Sequence, residues 1–130
     1  MITAIFLILV IAVLGAYIAS VATTQHTTAT LDLQGAKAYQ AAYAGIQFGA
    51  YQVIRNGGAC ATTSIVLTGV LSGFVVTVQC TTSGGYTEGS SSAKSIYRIV
   101  ATGCSPSTGV CPGTPGGYYV ERQLEATIDK

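Results

Sequence analysis

Charged side chains are scarce in this sequence and are missing from its beginning. Asp, Glu, Lys and Arg make up 8% of the 130 residues, and the formal net charge is +1. About 25% is usual in soluble domains. The chain therefore lacks the basic patch that nucleic-acid binding requires. None of the four charged residue types occurs in residues 1–31, so the chain is suited to packing against neighbours or a membrane.

Motifs for catalysis and metal binding are missing as well. The sequence has one histidine, His26, and it has no Gly-x-Ser-x-Gly motif, no phosphate-binding loop and no Cys-x-x-Cys pair. Glu121 and Glu125 are close in sequence, but Arg122 and Lys130 beside them indicate a solvated ionic face. We therefore expect no enzyme activity, no cofactor and no bound metal.

The charge-free beginning is strongly apolar. In residues 4–22 only Tyr17 and Ser20 carry polar side-chain atoms, and this length is close to the ~20 residues with which a helix crosses a bilayer. Three interpretations compete: a signal peptide, a permanent membrane anchor and the N-terminal segment of a polymerising subunit. The small residues Ser20-Val21-Ala22 favour the first.

The flanks of the apolar run favour the third interpretation. A signal peptide begins with a basic region, and an anchor usually carries Lys or Arg at one end. Here nothing basic precedes the run, and the first basic residue after it is Lys37. This pattern is typical of a chain whose basic leader has been removed. Because exposing such a surface to water is costly, we expect it to be buried against copies of itself.

The four cysteines, Cys60, Cys80, Cys104 and Cys111, all follow the apolar run. Four cysteines allow three pairings, and the sequence alone does not choose among them. Spacing favours Cys60 with Cys80 and Cys104 with Cys111. Each bridge would add ~2 to 3.5 kcal/mol in the chain-entropy model. Disulfides indicate an oxidising compartment outside the cytoplasm.

A helical pattern continues beyond the apolar run. Large apolar residues recur at spacings of four, three and seven in residues 32–54, and Asn56-Gly57-Gly58 predicts the end of the helix. A helix of ~55 residues is ~80 Å long, so we expect its apolar half to project from the domain. The residues predicted to pack between helix and sheet are Tyr39, Ala42, Tyr43, Ile46, Gly49 and Val53.

This helical pattern contains two notable groups of residues, a set of threonines and a row of small residues. Threonine crowds the preceding turn, and its hydroxyl offers the backbone other partners. We therefore predict a softer stretch at Gly15, Thr23, Thr24, Thr27 and Thr28. A row of small residues from Gly35 to Gly49 predicts close approach of a sheet or another helix.

After Gly58 the pattern changes to strands. We predict four of them, within residues 65–71, 74–80, 95–102 and 118–128, and loops at 81–94 and 105–117. The last segment also has helix-forming residues, but its Tyr-Tyr-Val start favours a strand. The expected fold is α+β: a long helix on an antiparallel, roughly four-stranded sheet. The expected divisions are an apolar arm at 1–31, an amphipathic half-helix at 32–58 and a disulfide-bonded head at 59–130.

This layout resembles the type IV pilins and pseudopilins. Residues 41–51 (AAYAGIQFGAY) are similar to the small-residue helix segment of minor-pilin-like proteins of the MSHA biogenesis family. The strand ending at Cys80 and the Arg-Gln-Leu-Glu segment at 122–125 are similar to theirs as well. The resemblance implies that a peptidase removes a basic leader and that the new N-terminus, Met1, is methylated.

The same resemblance implies how the protein assembles. Subunits would leave the inner membrane with the pilus assembly machinery and bundle their apolar helices into an extracellular filament of identical copies. Such pilins usually carry glutamate at the position of Ile5 and proline near Ala22. Without the glutamate, docking must rely on apolar packing and Thr3. The residues predicted to mediate polymerisation are Met1, Thr3, Ile5, Phe6, Leu9, Val10, Val13, Leu14 and Tyr17.

Two other functions remain open at this stage. Because Ile5 replaces the usual glutamate, the chain is alternatively a minor subunit at a filament tip or in priming. The third interpretation is a single-span, membrane-anchored binding domain that presents the loops 81–94 and 105–117 to a ligand.

Overall fold

The protein folds as one long helix followed by a four-stranded antiparallel sheet. A computed structural model describes residues 2–87, 89, 93–105, 109–114 and 119–130. The elements are α1 (Ile2–Arg55), β1 (Thr63–Val66), a short 3-10 turn (Gly69–Leu71), β2 (Val75–Tyr86), β3 (Lys94–Ser105) and β4 (Val120–Asp129). The strands lie in the order β1-β2-β3-β4, so the predicted α+β class and antiparallel meander are confirmed.

The chain divides into two compact units, Met1–Leu33 and Gln34–Lys130. In the first unit, residues 2–33 are helical and their side chains are exposed. The second unit contains the rest of the helix, the whole sheet and both disulfides. Met1 and Tyr118, which the sequence assigned to polymerisation and to the fourth strand, lie outside the described residues.

The sheet buries alternate residues on its two faces. Val76 and Val78 of β2 face the helix side with Ile99 and Ala101 of β3, and these side chains form the main core with Val53. Their neighbours Val75 and Thr77 point to the opposite face, because successive side chains of a strand alternate. Both faces of the central strands are therefore covered near this point.

The helix packs on the sheet through its smallest residues. Gly35, Ala38, Ala41, Ala42, Gly45, Gly49 and Val53 are the buried positions of α1. A Cβ atom built on Gly45 would lie 2.5 Å from Val76 Cγ2, and one on Gly49 would lie 2.7 Å from Ile99 Cγ2. The row of small residues therefore exists because the sheet occupies the space that larger side chains would need.

Two predicted packing residues are wrong. Tyr39 and Tyr43 are 51% and 52% exposed, so they do not belong to the contact between helix and sheet. Ala42, Gly49 and Val53 are buried and Ile46 packs against the core, as predicted. The helical spacing of the tyrosines suggested core positions, but each tyrosine follows a buried alanine, Ala38 or Ala42, by one residue and therefore lies off the buried side of the helix.

Strand boundaries differ from the prediction at β1 and between β2 and β3. The first strand is predicted within residues 65–71, but β1 covers Thr63–Val66 and Gly69–Leu71 form a 3-10 turn. Residues 81–86 continue β2 rather than forming a loop, and β3 extends to Ser105. Thr81 pairs with Arg98 and Thr82 with Tyr97, so the backbone hydrogen bonds of the hairpin hold a segment that composition marked as polar. Threonine tolerates this because its branched Cβ suits a strand. Residues 90–92 of the same predicted loop lie outside the described part.

Both disulfides have the pairing that spacing favoured. Cys60 bonds to Cys80 and Cys104 bonds to Cys111. The second bridge is buried and packs with Val75 on the sheet face away from the helix. The backbone N–H of Cys111 donates to Thr77 Oγ1 at 2.9 Å, and this bond gives the buried threonine hydroxyl a partner.

The helix ends where the sequence predicted, with a partner that the sequence did not reveal. Gly57 and Gly58 follow Arg55 with φ of 68° and 84°, which is the left-handed region that glycine adopts without strain. Lys130 Nζ donates to the carbonyls of Val53 and Ile54 at 2.9 and 3.2 Å. The lysine thus satisfies two of the last carbonyls of the helix, which lack partners within it.

Candidate interaction surface of the N-terminal helix

The most unusual surface of the protein is the apolar arm, defined here as residues 2–31 of α1. Its best 18-residue window has a mean hydropathy of 2.8 and is 0% buried. By length and composition the helix is able to cross a membrane. The arm is helical throughout although it is rich in Ile, Val and Thr, which are poorer helix formers than Leu and Ala.

The predicted polymerisation residues share this surface. Phe6, Leu9, Val10, Val13 and Leu14 line one shallow depression on the helix, and all of its lining residues are apolar. The remaining described members, Thr3, Ile5 and Tyr17, are exposed as well. The structure thus brings five of the predicted residues together on one side, while Met1 lies outside the described part.

Six hydroxyl groups of the arm, all between Ser20 and Thr30, are satisfied within the helix. Ser20 Oγ donates to the Tyr17 carbonyl at 2.7 Å, Thr24 Oγ1 to the Ser20 carbonyl at 3.0 Å, and Thr28 Oγ1 to the Thr24 carbonyl at 2.7 Å. Thr23, Thr27 and Thr30 make equivalent bonds one turn back. A hydroxyl with such a partner is much less costly to remove from water. The surface suited to apolar surroundings therefore extends to Thr30.

The predicted softening of the helix stays a prediction. The helix is unbroken through Gly15, Thr23, Thr24, Thr27 and Thr28. The same threonines that lower helix propensity also bond to the preceding turn. Any Ser or Thr in a helix can donate to a carbonyl three or four residues earlier, so the presence of these residues, and not their spacing, is the sequence signal for these bonds.

The free energy at stake on the arm is large. Fourteen large apolar side chains between Ile2 and Leu31 are exposed. Burying one such side chain fully is worth ~1.5 to 3 kcal/mol, so covering the arm is worth of the order of 20 kcal/mol. A whole domain is usually stable by only ~5 to 15 kcal/mol. Apolar patches of this size mark contacts with lipid or protein.

Charged groups in the second unit form ordinary surface pairs. Arg98 Nη2 donates to Glu125 Oε2 at 2.7 Å in a two-point contact. Hydrogen bonding to Arg98 lowers the pKa of Glu125, and the same contact raises the pKa of Arg98. The ionic face predicted at Glu125 therefore exists, but its partner is Arg98 on β3 rather than Arg122 or Lys130.

Tyr119 holds the loop that follows the second disulfide. Its hydroxyl donates to Glu121 Oε2 and accepts from the backbone N–H of Gly113. Partial burial raises the pKa of Tyr119, and the hydrogen bond to Glu121 adds to this effect. The arrangement fixes the loop on β4 and needs no catalytic explanation.

Within the described ranges, no group of three or more His, Cys, Asp or Glu side chains is placed to hold a metal ion. Comparison of the chain with protein-family models, with curated proteins and with solved structures gives no match. The interpretation of the protein therefore rests on its own geometry and chemistry.

Proposed function

We propose that the chain is a structural subunit of an extracellular filament of the type IV pilus kind, which polymerises by bundling the apolar arms of many copies. The observation that carries this proposal is the fully exposed, charge-free arm followed by a disulfide-bonded unit. Before assembly the arm would lie in the inner membrane, where the pilus assembly machinery would collect the subunits.

Two properties of the arm support bundling of helices. The hydroxyls of its Ser20 and of the threonines after it have partners within the helix, so a neighbouring helix does not have to satisfy them. Small residues, Gly15, Ala16 and Ala19 among them, permit close approach of helix backbones in apolar surroundings. The disulfides support the extracellular end of this path, because they persist in oxidising compartments.

The experiment is to place one charge in the depression on the arm. We expect Leu9→Asp to abolish filaments, because a carboxylate at the centre of an apolar helix costs ~2.5 to 3.5 kcal/mol even in a membrane-like setting. Leu9→Ile is the matched control that keeps the surface apolar, and Thr127→Asp places the same charge on the exposed sheet. Filaments are counted by electron microscopy, and circular dichroism checks the second unit.

Normal filament numbers from Leu9→Asp would contradict the proposal. Loss of filaments from both Leu9→Asp and Thr127→Asp would show only a general sensitivity to charge. The proposal therefore requires that the arm variant fails while the sheet variant assembles.

A minor subunit at the tip or in priming is the second candidate, and Ile5 favours it. A side chain without charge at this position offers no ion pair to a neighbour. Mass spectrometry of sheared filaments distinguishes the two roles, since a major subunit is present in near-stoichiometric amount and a minor one is scarce.

A membrane-anchored binding domain is the third candidate, and the length of the apolar helix favours it. In this case the arm stays in lipid. Electron microscopy of the purified full chain then shows single particles in detergent, whereas a helical polymer excludes this role.

A further inference from the structure

A small cavity lies between the helix and the beginning of β1. Its floor includes the buried residues Gly49 and Val78, and its rim includes the exposed residues Ala59, Ala61 and Thr63. The remaining lining residues are Phe48, Gln52 and Cys80. No charged residue lines it, and its volume is about 160 Å³.

The volume of the cavity limits what can bind in it. Sites for cofactors and drug-sized ligands occupy ~300 to 1,000 Å³, so this one is too small for them. An apolar cavity of ~150 Å³ accepts a molecule the size of benzene. The cavity at the start of β1 therefore suits one aliphatic side chain that enters from a partner.

The other end of β1 presents such a side chain. Val70 is 86% exposed and is, with Ile2, the most exposed of the large apolar residues. It stands on the 3-10 turn Gly69–Leu71, which is fixed by backbone hydrogen bonds from Ser72 N to the Gly69 carbonyl and from Phe74 N to the Leu71 carbonyl, both 3.1 Å long. An ordered turn thus holds an apolar side chain in water without a partner in its own chain.

We propose that Val70 of one copy inserts into the cavity of the next copy. The Val70 side chain and the cavity lie at opposite ends of the four-residue strand β1. Each copy therefore carries one inserting side chain and, at a different place, one cavity. Contacts between two different patches repeat from copy to copy and generate closed rings or, where the rotation does not close, open helical polymers. This inference rests on the proposed filament function and adds to it a second contact, made by the sheet-bearing units.

The charge of the two surfaces is compatible with a second copy as the occupant of the cavity. The tip of the β1–β2 hairpin, residues 67–73, carries no charge, and neither does the cavity. Within a filament, neighbouring copies are also present at very high effective concentration, so that one buried side chain contributes without having to hold the partners together by itself.

Site-directed cross-linking of the full chain tests this contact. Copies carrying Val70→Cys are mixed with copies carrying Ala61→Cys, assembled, and treated with a short bifunctional maleimide that leaves the native disulfides intact. We expect a cross-linked dimer from the mixture and none from either variant alone. Val70→Cys mixed with Thr127→Cys is the control pair, since Thr127 is exposed on β4.

The outcomes separate this inference from the proposed function. Filaments that give no more Val70–Ala61 cross-link than the control pair overturn the inference and leave the filament function standing. The absence of any assembly of the mixed copies, with folded subunits, counts against both.

Valine-to-aspartate variants provide the second measurement. Burial of a valine side chain changes the equilibrium constant for association by about tenfold or more. We therefore expect Val70→Asp to lower the amount of assembled protein by about that factor. Val66→Asp is the matched control, because Val66 is also exposed, at 66%, on the same strand. Equal assembly of both variants, whether normal or reduced, overturns the insertion of Val70.

Discussion

Gly103 marks the point at which the helix and the sheet come closest. A Cβ atom on this residue would lie 2.7 Å from the carbonyl oxygen of Ala38 and 2.8 Å from the backbone N of Ala42. Backbone atoms in the middle of a helix do not move aside as the end of a long side chain does. Glycine at this position is therefore required by space and not by its φ angle.

We expect Gly103→Ala to lower the free energy of unfolding by about 1 to 3 kcal/mol, as overpacking does. The entropic gain from replacing glycine, about 0.4 to 1 kcal/mol, is smaller and does not reverse the sign. Gly84→Ala is the control, because no atom lies within 4 Å of a Cβ there. Denaturant unfolding measures both, and equal stability of the two variants would disprove the close approach.

Glu125 gives the protein one predictable response to acid. Because Arg98 lowers its pKa in the folded state, the pair stabilises the fold above the ordinary pKa of the carboxyl and loses this contribution as the pH falls through the folded value. We expect the difference in melting temperature between wild type and Glu125→Gln to disappear between about pH 7 and pH 2. A difference that stays constant over this range would contradict the assignment.

At the scale of the elements, the part of α1 in the second unit has two sides: the sheet limits residue size on one side and does not limit it on the other. Ala42 is fully buried against β3, whereas Tyr43, the next residue, is half-exposed. The sequence predicted both residues for this contact: Ala42 belongs to the row of small residues, and Tyr43 is a large residue of a kind that is often buried. The position of the sheet decides which side of the helix accepts only small residues.

Adjacent substitutions on this helix test the assignment. We expect Tyr43→Ser to change the free energy of unfolding by no more than about 0.5 kcal/mol, as surface substitutions do. Ala42→Leu should lower it by about 1 to 3 kcal/mol or more because the added carbons have no space. Thermal unfolding of the two variants compares them directly, and a larger loss from Tyr43→Ser would restore the tyrosine as the packing residue.

The strands show a related effect. The polar segment 81–86 forms part of β2 because β3 supplies its backbone partners, although its composition predicted a loop. The apolar arm behaves differently, since a helix makes its backbone hydrogen bonds within its own segment and needs no distant strand. Local pattern therefore predicts an element best where that element satisfies its own backbone.

At the scale of the whole molecule, the two disulfides contribute in different ways. Cys60–Cys80 closes the longer loop, with a sequence separation of 20 against 7 for Cys104–Cys111. Chain entropy alone therefore favours the first bridge, by less than about 1 kcal/mol. The second bridge is buried and holds its loop on the sheet through the bond from Cys111 N to Thr77, and we expect this burial to offset the difference in entropy.

We accordingly expect the double variant Cys104→Ala/Cys111→Ala to be at least as destabilised as Cys60→Ala/Cys80→Ala, with losses of about 2 to 5 kcal/mol for each. Urea unfolding of the full chain in detergent measures the free energy of unfolding of both double variants. Val110, next to the second bridge, keeps its side chain in both variants. A clearly smaller loss from the Cys104–Cys111 pair would show that chain entropy dominates.

The sequence by itself determined the larger features of this protein. The missing charges in residues 1–31 and the run of apolar side chains predict the apolar arm. The alternation of apolar residues predicted the number of strands, the glycines after Arg55 predicted the end of the helix, and the spacing of the cysteines favoured the observed pairing. Each of these signals is local, or is a property of composition that needs no knowledge of distant contacts.

Only the tertiary structure decided which residues meet. It placed Ala42 rather than Tyr43 against the sheet, paired Glu125 with Arg98, and brought Lys130 to the end of a helix that lies about seventy-five residues earlier. It also formed the cavity beside β1 from residues of the helix, the loop and β2. These contacts depend on how closely two backbones approach and on the register between strands. The local sequence does not determine either quantity.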